Sequence, residues 1–339
     1  MTLSASKPLP QNRQIKLSRT RQLFTQNPGV TSIAIFLIAC CAVFSFTSDF
    51  FLTQANWLNI IRQSAPILIV AIGMTFVITT GGIDLSVGST LALVGALSAI
   101  ALHDWHWPWY AVLVAGLIAG ALIGSINGFF IAYEGIPAFI VTLATLAIIR
   151  GTALLITQGY SIPIPRHDPF SLLGRGWVLG IPVPAIIAVV ALIAGYLMLN
   201  NMRFGRYVTA IGTNSEGARR SGIATQRVTM QAYVLTGMAA ALAGMITTAR
   251  LGSGSSNQGE GFELQVIAAV VLGSTSLFGG FGTIVGTLLG VLSIAAMQNG
   301  LILAHISPFF TQIATGLIIL LAIWLNTRIL SPGHAGTGK

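Results

Sequence analysis

The sequence predicts an all-α polytopic membrane protein with about ten transmembrane or half-spanning helices. Three observations carry the prediction. Hydrophobic residues make up 54% of the 339-residue chain and charged residues 7%, against about 25% charged in a soluble domain. The apolar residues fall in successive runs long enough to cross about 30 Å of hydrocarbon. The charges collect outside those runs, in an N-terminal tail and one central segment. The net charge of +9 is therefore read as an orientation signal, because basic residues stay on the cytoplasmic side. It is not read as a nucleic-acid signal.

Residues 1–28 carry Lys7, Arg13, Lys16, Arg19 and Arg21 and no acid, so a cytoplasmic basic tail is expected. A transmembrane domain over 29–327 follows, then a short cytoplasmic tail over 328–339 with Arg328 and Lys339. The first span is Gly29–Phe46, an uncleaved anchor. Cys40 and Cys41 are adjacent inside it, so no disulfide framework follows beyond a strained vicinal pair. The next runs are Ile60–Ile78, Leu85–Leu102, Trp109–Tyr133, Ala138–Thr157 and Val183–Leu199. After a polar interval come Thr229–Thr248, Phe262–Phe278, Thr283–Ala304 and Pro308–Asn326. Leu85–Leu102 and Phe262–Phe278 are short enough to be half-spans.

The polar interval is Asn201–Arg227. It holds Arg203, Arg206, Arg219, Arg220 and Arg227, with Glu216 as its one acid. A basic, helix-competent island between oily runs is expected in the cytosol. An even number of spans then puts both termini and this loop on the same side. Thr47–Asn59, the Trp-rich turn His103–Pro108, the loop Gln158–Pro182 and the segment Arg250–Gly261 fall on the other face. The 158–182 loop, stiffened by Pro163, Pro165, Pro169 and Pro182, either bridges two spans or docks a partner.

Glycines form four-residue ladders at Gly116/Gly120/Gly124/Gly128 and Gly282/Gly286/Gly290. Close helix packing is the plain reading. A faint internal echo relates Gly81-Gly82-x4-Val87-Gly88-x2-Leu91 to Gly279-Gly280-x4-Val285-Gly286-x2-Leu289, offset by 198 residues. Transporters are often built from repeats.

Several chemistries are missing. A P-loop needs lysine between glycine and Ser/Thr, and Lys7, Lys16 and Lys339 lack that context. No HExxH or Cys/His cluster suggests a metal site. No G-x-S-x-G elbow is present. The chain is expected to be a non-enzyme, with no catalytic residue, metal or cofactor of its own.

Charge inside the apolar runs is costly and marks function or a device that relieves the cost. Asp84 stands in Gly81-Gly82-Ile83-Asp84-Leu85-Ser86 between two spans. It caps a helix start or marks a polar break on a transport path. Arg150 either snorkels outward or faces a wet cavity. Glu263 opens its run, where an acid suits the helix dipole, or lies on the path. So few embedded acids argue against a gradient-coupled carrier and point to an energy source outside this chain.

Glu216-Gly217-Ala218-Arg219-Arg220-Ser221-Gly222 resembles the E-A-A-x3-G loop of ABC-importer permeases, with Gly217 replacing the first Ala. Gly73-Met74-Thr75 through Gly81-Gly82-Ile83-Asp84-Leu85-Ser86-Val87-Gly88-Ser89 is similar to the signature of ribose-type sugar permeases. So are Arg203-Phe204-Gly205-Arg206-Tyr207 and Ile267–Gly273, with Thr275-Ser276-Leu277 and Gly279-Gly280 after them. The family pattern usually has Asp where Gln265 stands and Gly where Ser274 stands.

The resemblance implies ABC importer permease architecture and a multi-pass subunit of the bacterial inner membrane. It implies a second permease copy (identical or a paralogue), an ATPase dimer below that carries ATP and Mg, and a periplasmic sugar-binding protein above. Glu216, Ala218 and Gly222 would shape the coupling helix, and Arg203, Gly205, Arg206, Arg219 and Arg220 would contact the ATPase or lipid phosphates. Gly81, Gly82, Asp84, Ser86, Arg150, Glu263, Gln265 and Thr275 are the candidate substrate path. Ribose or a similar pentose is the expected solute. A branched-chain amino acid, or an autonomous gradient-driven carrier, is the alternative.

Overall fold

The computed structural model describes residues 28–165 and 167–307, with single residues 310, 313, 316, 317 and 320. The tails expected at 1–28 and 328–339 lie outside the described residues except for Pro28, and so does the span expected at Pro308–Asn326 apart from those single positions. Among the described residues twelve α-helices follow one another, with four two-residue strands between them.

The first five helices are α1 (Pro28–Thr47), α2 (Gln54–Thr79), α3 (Val87–His103), α4 (Trp109–Ala132) and α5 (Ala138–Thr157). A connection over 158–182 carries β1 (Ile162–Pro163), a 3-10 turn (Pro169–Ser171), the short α6 (Leu172–Arg175), β2 (Trp177–Val178) and β3 (Ile181–Pro182). Then come α7 (Val183–Asn200), α8 (Arg203–Thr213), α9 (Ser215–Arg220) and α10 (Thr225–Leu251). The last are β4 (Ser253–Gly254), α11 (Phe262–Leu272) and α12 (Ile284–Leu303). Proline sits at the N-cap of α4, α5 and α7, at Pro108, Pro137 and Pro182, where its fixed φ and missing amide donor suit a helix start.

Among the described residues seven helices are long and apolar enough to cross a membrane: α1, α2, α4, α5, α7, α10 and α12. Helices α3 and α11 are apolar but shorter, with 17 and 11 residues. At 1.5 Å per residue α11 spans about 16 Å, roughly half of a hydrocarbon core. The count of about ten therefore resolves, within the described chain, into seven full-length and two shorter helices. The run expected at Phe262–Phe278 stops at Leu272 because the backbone turns left-handed at Ser274 and again at Gly279 and Gly280. The break falls on Gly273-Ser274-Thr275-Ser276, small and polar residues that favour a turn.

Helices α2 and α10 are the most enclosed of the long helices, while α1, α4, α5 and α7 turn large apolar side chains outward. Outward-facing Ile118, Leu122, Leu155 and Ile193 suit contact with lipid. The first glycine ladder is a packing seam: a Cβ on Gly120 would stand 2.4 Å from the Gly237 carbonyl oxygen of α10, and one on Gly124 2.3 Å from that of Tyr233. The second seats α12 against α11, where a Cβ on Gly290 would stand 2.1 Å from the Ala269 carbonyl oxygen. Small residues let the backbones touch, which is how helices gain dispersion energy in lipid.

Candidate translocation and coupling sites

The basic segment folds as two short helices. In α8, Phe204, Val208 and Ile211 turn toward the bundle, and Phe204 meets Phe76 of α2 with ring centroids 5.5 Å apart. Arg203 and Arg206 stay exposed on the other side. Gly205 is buried where α8 folds back on the end of α7; a Cβ there would stand 2.0 Å from the Leu199 carbonyl oxygen. In α9, Asn214 Oδ1 accepts the Gly217 amide at 2.8 Å as an N-cap. Ala218 is buried in the core. Gly222 adopts φ +85°, and the amides of Gly222 and Ile223 bond back to Arg219 and Ala218. That is a glycine C-cap, which a side chain would strain.

Glu216 holds both neighbouring arginines. Its carboxylate accepts from Arg219 at 3.0 and 3.1 Å and from Arg220 at 2.9 Å. Those bonds push its pKa below the usual glutamate value. A depressed carboxylate pKa means the pairing is intact at neutral pH and is lost as pH falls through the acidic range. Arg203, Arg206, Arg219 and Arg220 therefore form an exposed, cationic, amphipathic end of the molecule.

The second region is the start of α3. The stretch 80–86 turns inside the bundle, and Asp84 is 1% exposed. Its Oδ1 accepts from the Ser86 amide at 2.9 Å and from Ser86 Oγ at 2.6 Å. Asn127 Nδ2 of α4 donates to Ser86 Oγ at 2.9 Å. Tyr233 of α10 and Thr142 of α5 each direct a hydroxyl at the Ile83 carbonyl, both at 3.4 Å. Gly82 makes room for the Tyr233 ring: a Cβ there would stand 2.4 Å from its hydroxyl. Asp84 thus organises the turn before α3 rather than capping it directly, and the N-cap position falls to Ser86.

The segment 252–261 lies along the same helix. It starts paired to the 158–182 connection through β1 and β4, with Ile162 opposite Gly254. Gly254 then packs on Gly95 and Ala99, and Gly259 on Gly88, about two to three turns nearer the N-terminus of α3. The sequence placed this stretch on a face as a plain connection; it runs inward instead. Irregular backbone at such depth is tolerated only where protein or a wet path surrounds it. Arg150 of α5 pins it, donating to the carbonyls of Ser256 and Gln258, and Thr157 Oγ1 donates to Ser256 Oγ at 3.0 Å.

Glu263 opens α11 with Oε2 against Gly88. Its Oε2, Gln258 Oε1, Thr248 Oγ1 and Asn127 Oδ1 are enclosed and make no hydrogen bond within the described residues. Buried acceptors without donors are uncommon. Thr248 and Gln258 both face Gly95, two turns along α3 from Gly88. An acceptor-rich seam therefore follows the glycine face of α3 from Asp84 to Gly95.

The structure brings Asp84, Ser86, Arg150 and Glu263 to this seam. Gly81 and Gly82 form the elbow before it. Gln265 is half-buried one turn into α11. Thr275 lies apart, in the elbow between α11 and α12, where its Oγ1 faces the Thr283 amide. Asn127, Thr142, Tyr233, Thr248 and Gln258 were not singled out from sequence. Asn127, a lone amide in the oily run Trp109–Tyr133, carried a legible signal; Tyr233 carried none. A separate cavity of about 140 Å³ between α3 and α4 is lined by Val94, Leu97, Val112 and Trp105. Its walls give a polar solute almost nothing to bond.

Comparison with known proteins fits this geometry. Residues 56–323 match the family described as branched-chain amino acid transport system / permease component. The ribose import permease protein RbsC of Bacillus subtilis is 46% identical over 84% of this chain and 89% of its own. That of Haemophilus influenzae is 40% identical over 90% of this chain and 93% of its own. The xylose transport system permease protein XylH of Escherichia coli is 32% identical over 86% and 90%. No solved structure matches the chain.

Proposed function

Because the chain belongs to the family described as branched-chain amino acid transport system / permease component, we propose that it is the membrane subunit of an ATP-driven pentose importer, with ribose as solute. The observation that carries this reading is the α8–α9 pair, an exposed basic surface packed onto a polytopic bundle through Phe204, Val208, Ile211 and Ala218. Such a surface suits docking of a separate ATPase subunit, which supplies ATP and Mg chemistry. Glu216 orients Arg219 and Arg220, Ala218 anchors α9 to the bundle, and Gly222 ends the helix. Arg203 and Arg206 extend the contact. This end faces the bacterial cytoplasm with both termini, by the basic-side rule.

The solute is assigned from the relatives, whose names specify ribose and xylose. The acceptor-rich seam supports the assignment, because a pentose presents several hydroxyl donors. Asp84, Ser86, Arg150, Glu263 and Gln265 belong to the path, with Gly81, Gly82 and Thr275 shaping the elbows that flank it. A periplasmic sugar-binding protein delivers the solute, and a second permease copy completes the conduit.

Reconstitution in liposomes tests the proposal. The chain with its ATPase and binding protein is expected to accumulate labelled ribose only when ATP is supplied. Leucine uptake in place of ribose would favour the amino-acid reading that the family description allows. Ribose uptake by the chain alone, driven by an ion gradient, would overturn the proposal.

A further inference from the structure

Three segments meet at Gly212, in the last turn of α8. A Cβ on Gly212 would stand 1.9 Å from the Thr79 carbonyl oxygen at the end of α2 and 2.3 Å from the Gly280 amide nitrogen. The Gly280 amide in turn donates to the Thr79 carbonyl at 2.9 Å. A Cβ on Gly279 would stand 3.0 Å from both the Gly212 Cα and the Gly81 amide nitrogen. The end of α8 thus touches, backbone to backbone, the two glycine elbows that the sequence echo relates.

Contacts between side chains absorb displacement by changing rotamer. Backbone contacts in a close-packed interior have no such slack. From Gly212 the chain continues through Thr213 and Asn214 straight into α9. Each elbow leads toward the seam: Asp84 lies just past the first, and the second follows the 273–278 stretch after α11, whose first turn carries Glu263. A shift of α9 therefore has a short, stiff route to the end of the seam that holds Asp84 and Glu263.

We propose that Gly212 is a positioning residue for transport, the joint through which α8–α9 and the two glycine elbows move as one body. The inference rests on the reading of α8–α9 as the ATPase-docking surface. Replacing Gly212 by alanine drives a methyl group between backbones and introduces play at the joint.

The test uses the assembled importer of this chain, its ATPase and its binding protein. G212A is expected to co-purify with the ATPase and keep its basal ATP hydrolysis. Stimulation of that hydrolysis by ribose-loaded binding protein, and ribose uptake, should each fall about tenfold, within the usual range of coupling between sites. An assembled G212A importer with wild-type stimulation and uptake overturns the proposal. A second measurement decides the matter even if G212A does not assemble. Spin labels go on T213C and F278C, both exposed positions, in a chain carrying C40S and C41S. One rigid body predicts the same dipolar broadening without nucleotide and with ATP bound. Broadening that disappears with ATP shows the joint opening and overturns the proposal. If the unmodified chain binds no ATPase, the functional reading itself has failed, which both arms distinguish from failure of the joint.

Discussion

Gly81-Gly82 after α2 and Gly279-Gly280 before α12 lie 198 residues apart in a shared spacing pattern, and the fold sets them against each other. Gly81 and Gly279 adopt nearly the same φ, +87° and +82°. Each elbow then feeds an apolar helix. They differ at the position that follows by two: the first has Asp84 and the second Gly282. Asp84 is enclosed and satisfied by Ser86. Gly282 has no side chain because Thr79 Oγ1 would stand 2.1 Å from its Cβ. One elbow therefore keeps a polar group inside the bundle, and the other gives up side chains to seat on α2. The comparison teaches that a shared left-handed first glycine leads to chemistry in one copy and mechanical contact in the other; the second glycine, left-handed only at Gly280, already separates the two turns.

The comparison breaks most sharply if the second elbow is given the first one's acid. Gly282→Asp is expected to destabilise the purified protein by about 3 kcal/mol, the upper range for overpacking, as a fall in thermal unfolding midpoint in detergent. Asp84→Ala should cost about 2 kcal/mol, because the Ser86 amide and hydroxyl both lose their acceptor. Asp84→Asn keeps an acceptor oxygen and should unfold closer to the unmodified protein. The seating of the second elbow depends also on the Thr75 and Thr287 hydroxyls, 2.7 Å apart across α2 and α12. Thr75→Val should cost about 1 kcal/mol, the net value of one such bond. The smallest effect has the opposite sign. Ser274 holds φ +69°, and its enclosed Oγ makes no hydrogen bond within the described residues. Ser274→Gly should stabilise by about 0.5 kcal/mol, since relief of left-handed strain outweighs glycine's extra entropy loss.

That last residue shows how sequence and structure met. The resemblance implied glycine as the usual residue at position 274, and the left-handed backbone there gives a physical reason for it. Helix starts at Trp109, Ala138 and Val183 were legible because proline marks each of them. Gly222 entered through the resemblance of 216–222 to a coupling loop, and its left-handed backbone gives it a local role as a helix end. The end of α11 had a signal in Gly273-Ser274-Thr275-Ser276, but the apolar Leu277-Phe278 beyond it carried the expected run on to Phe278. The way distant helices close around the turn at Ile83 and Ser86 was not legible. Asn127 and Tyr233 lie on α4 and α10, and their meeting depends on helix rotation that a sequence period does not fix when every face is apolar. Gly212 looked like one of many glycines until three segments were seen to converge on it. Local capping chemistry could be read from the chain; the seam and the joint arise from packing between distant segments.

In the proposed importer α8–α9 is a handle exposed to the cytoplasm and covered by the ATPase. A chain with C40S, C41S and a cysteine replacing Ser215, an exposed residue at the start of α9, tests this directly with a membrane-impermeant thiol reagent. Labelling is expected in inside-out vesicles, suppressed when the ATPase subunit is bound, and absent in intact cells. Labelling from outside intact cells would contradict it.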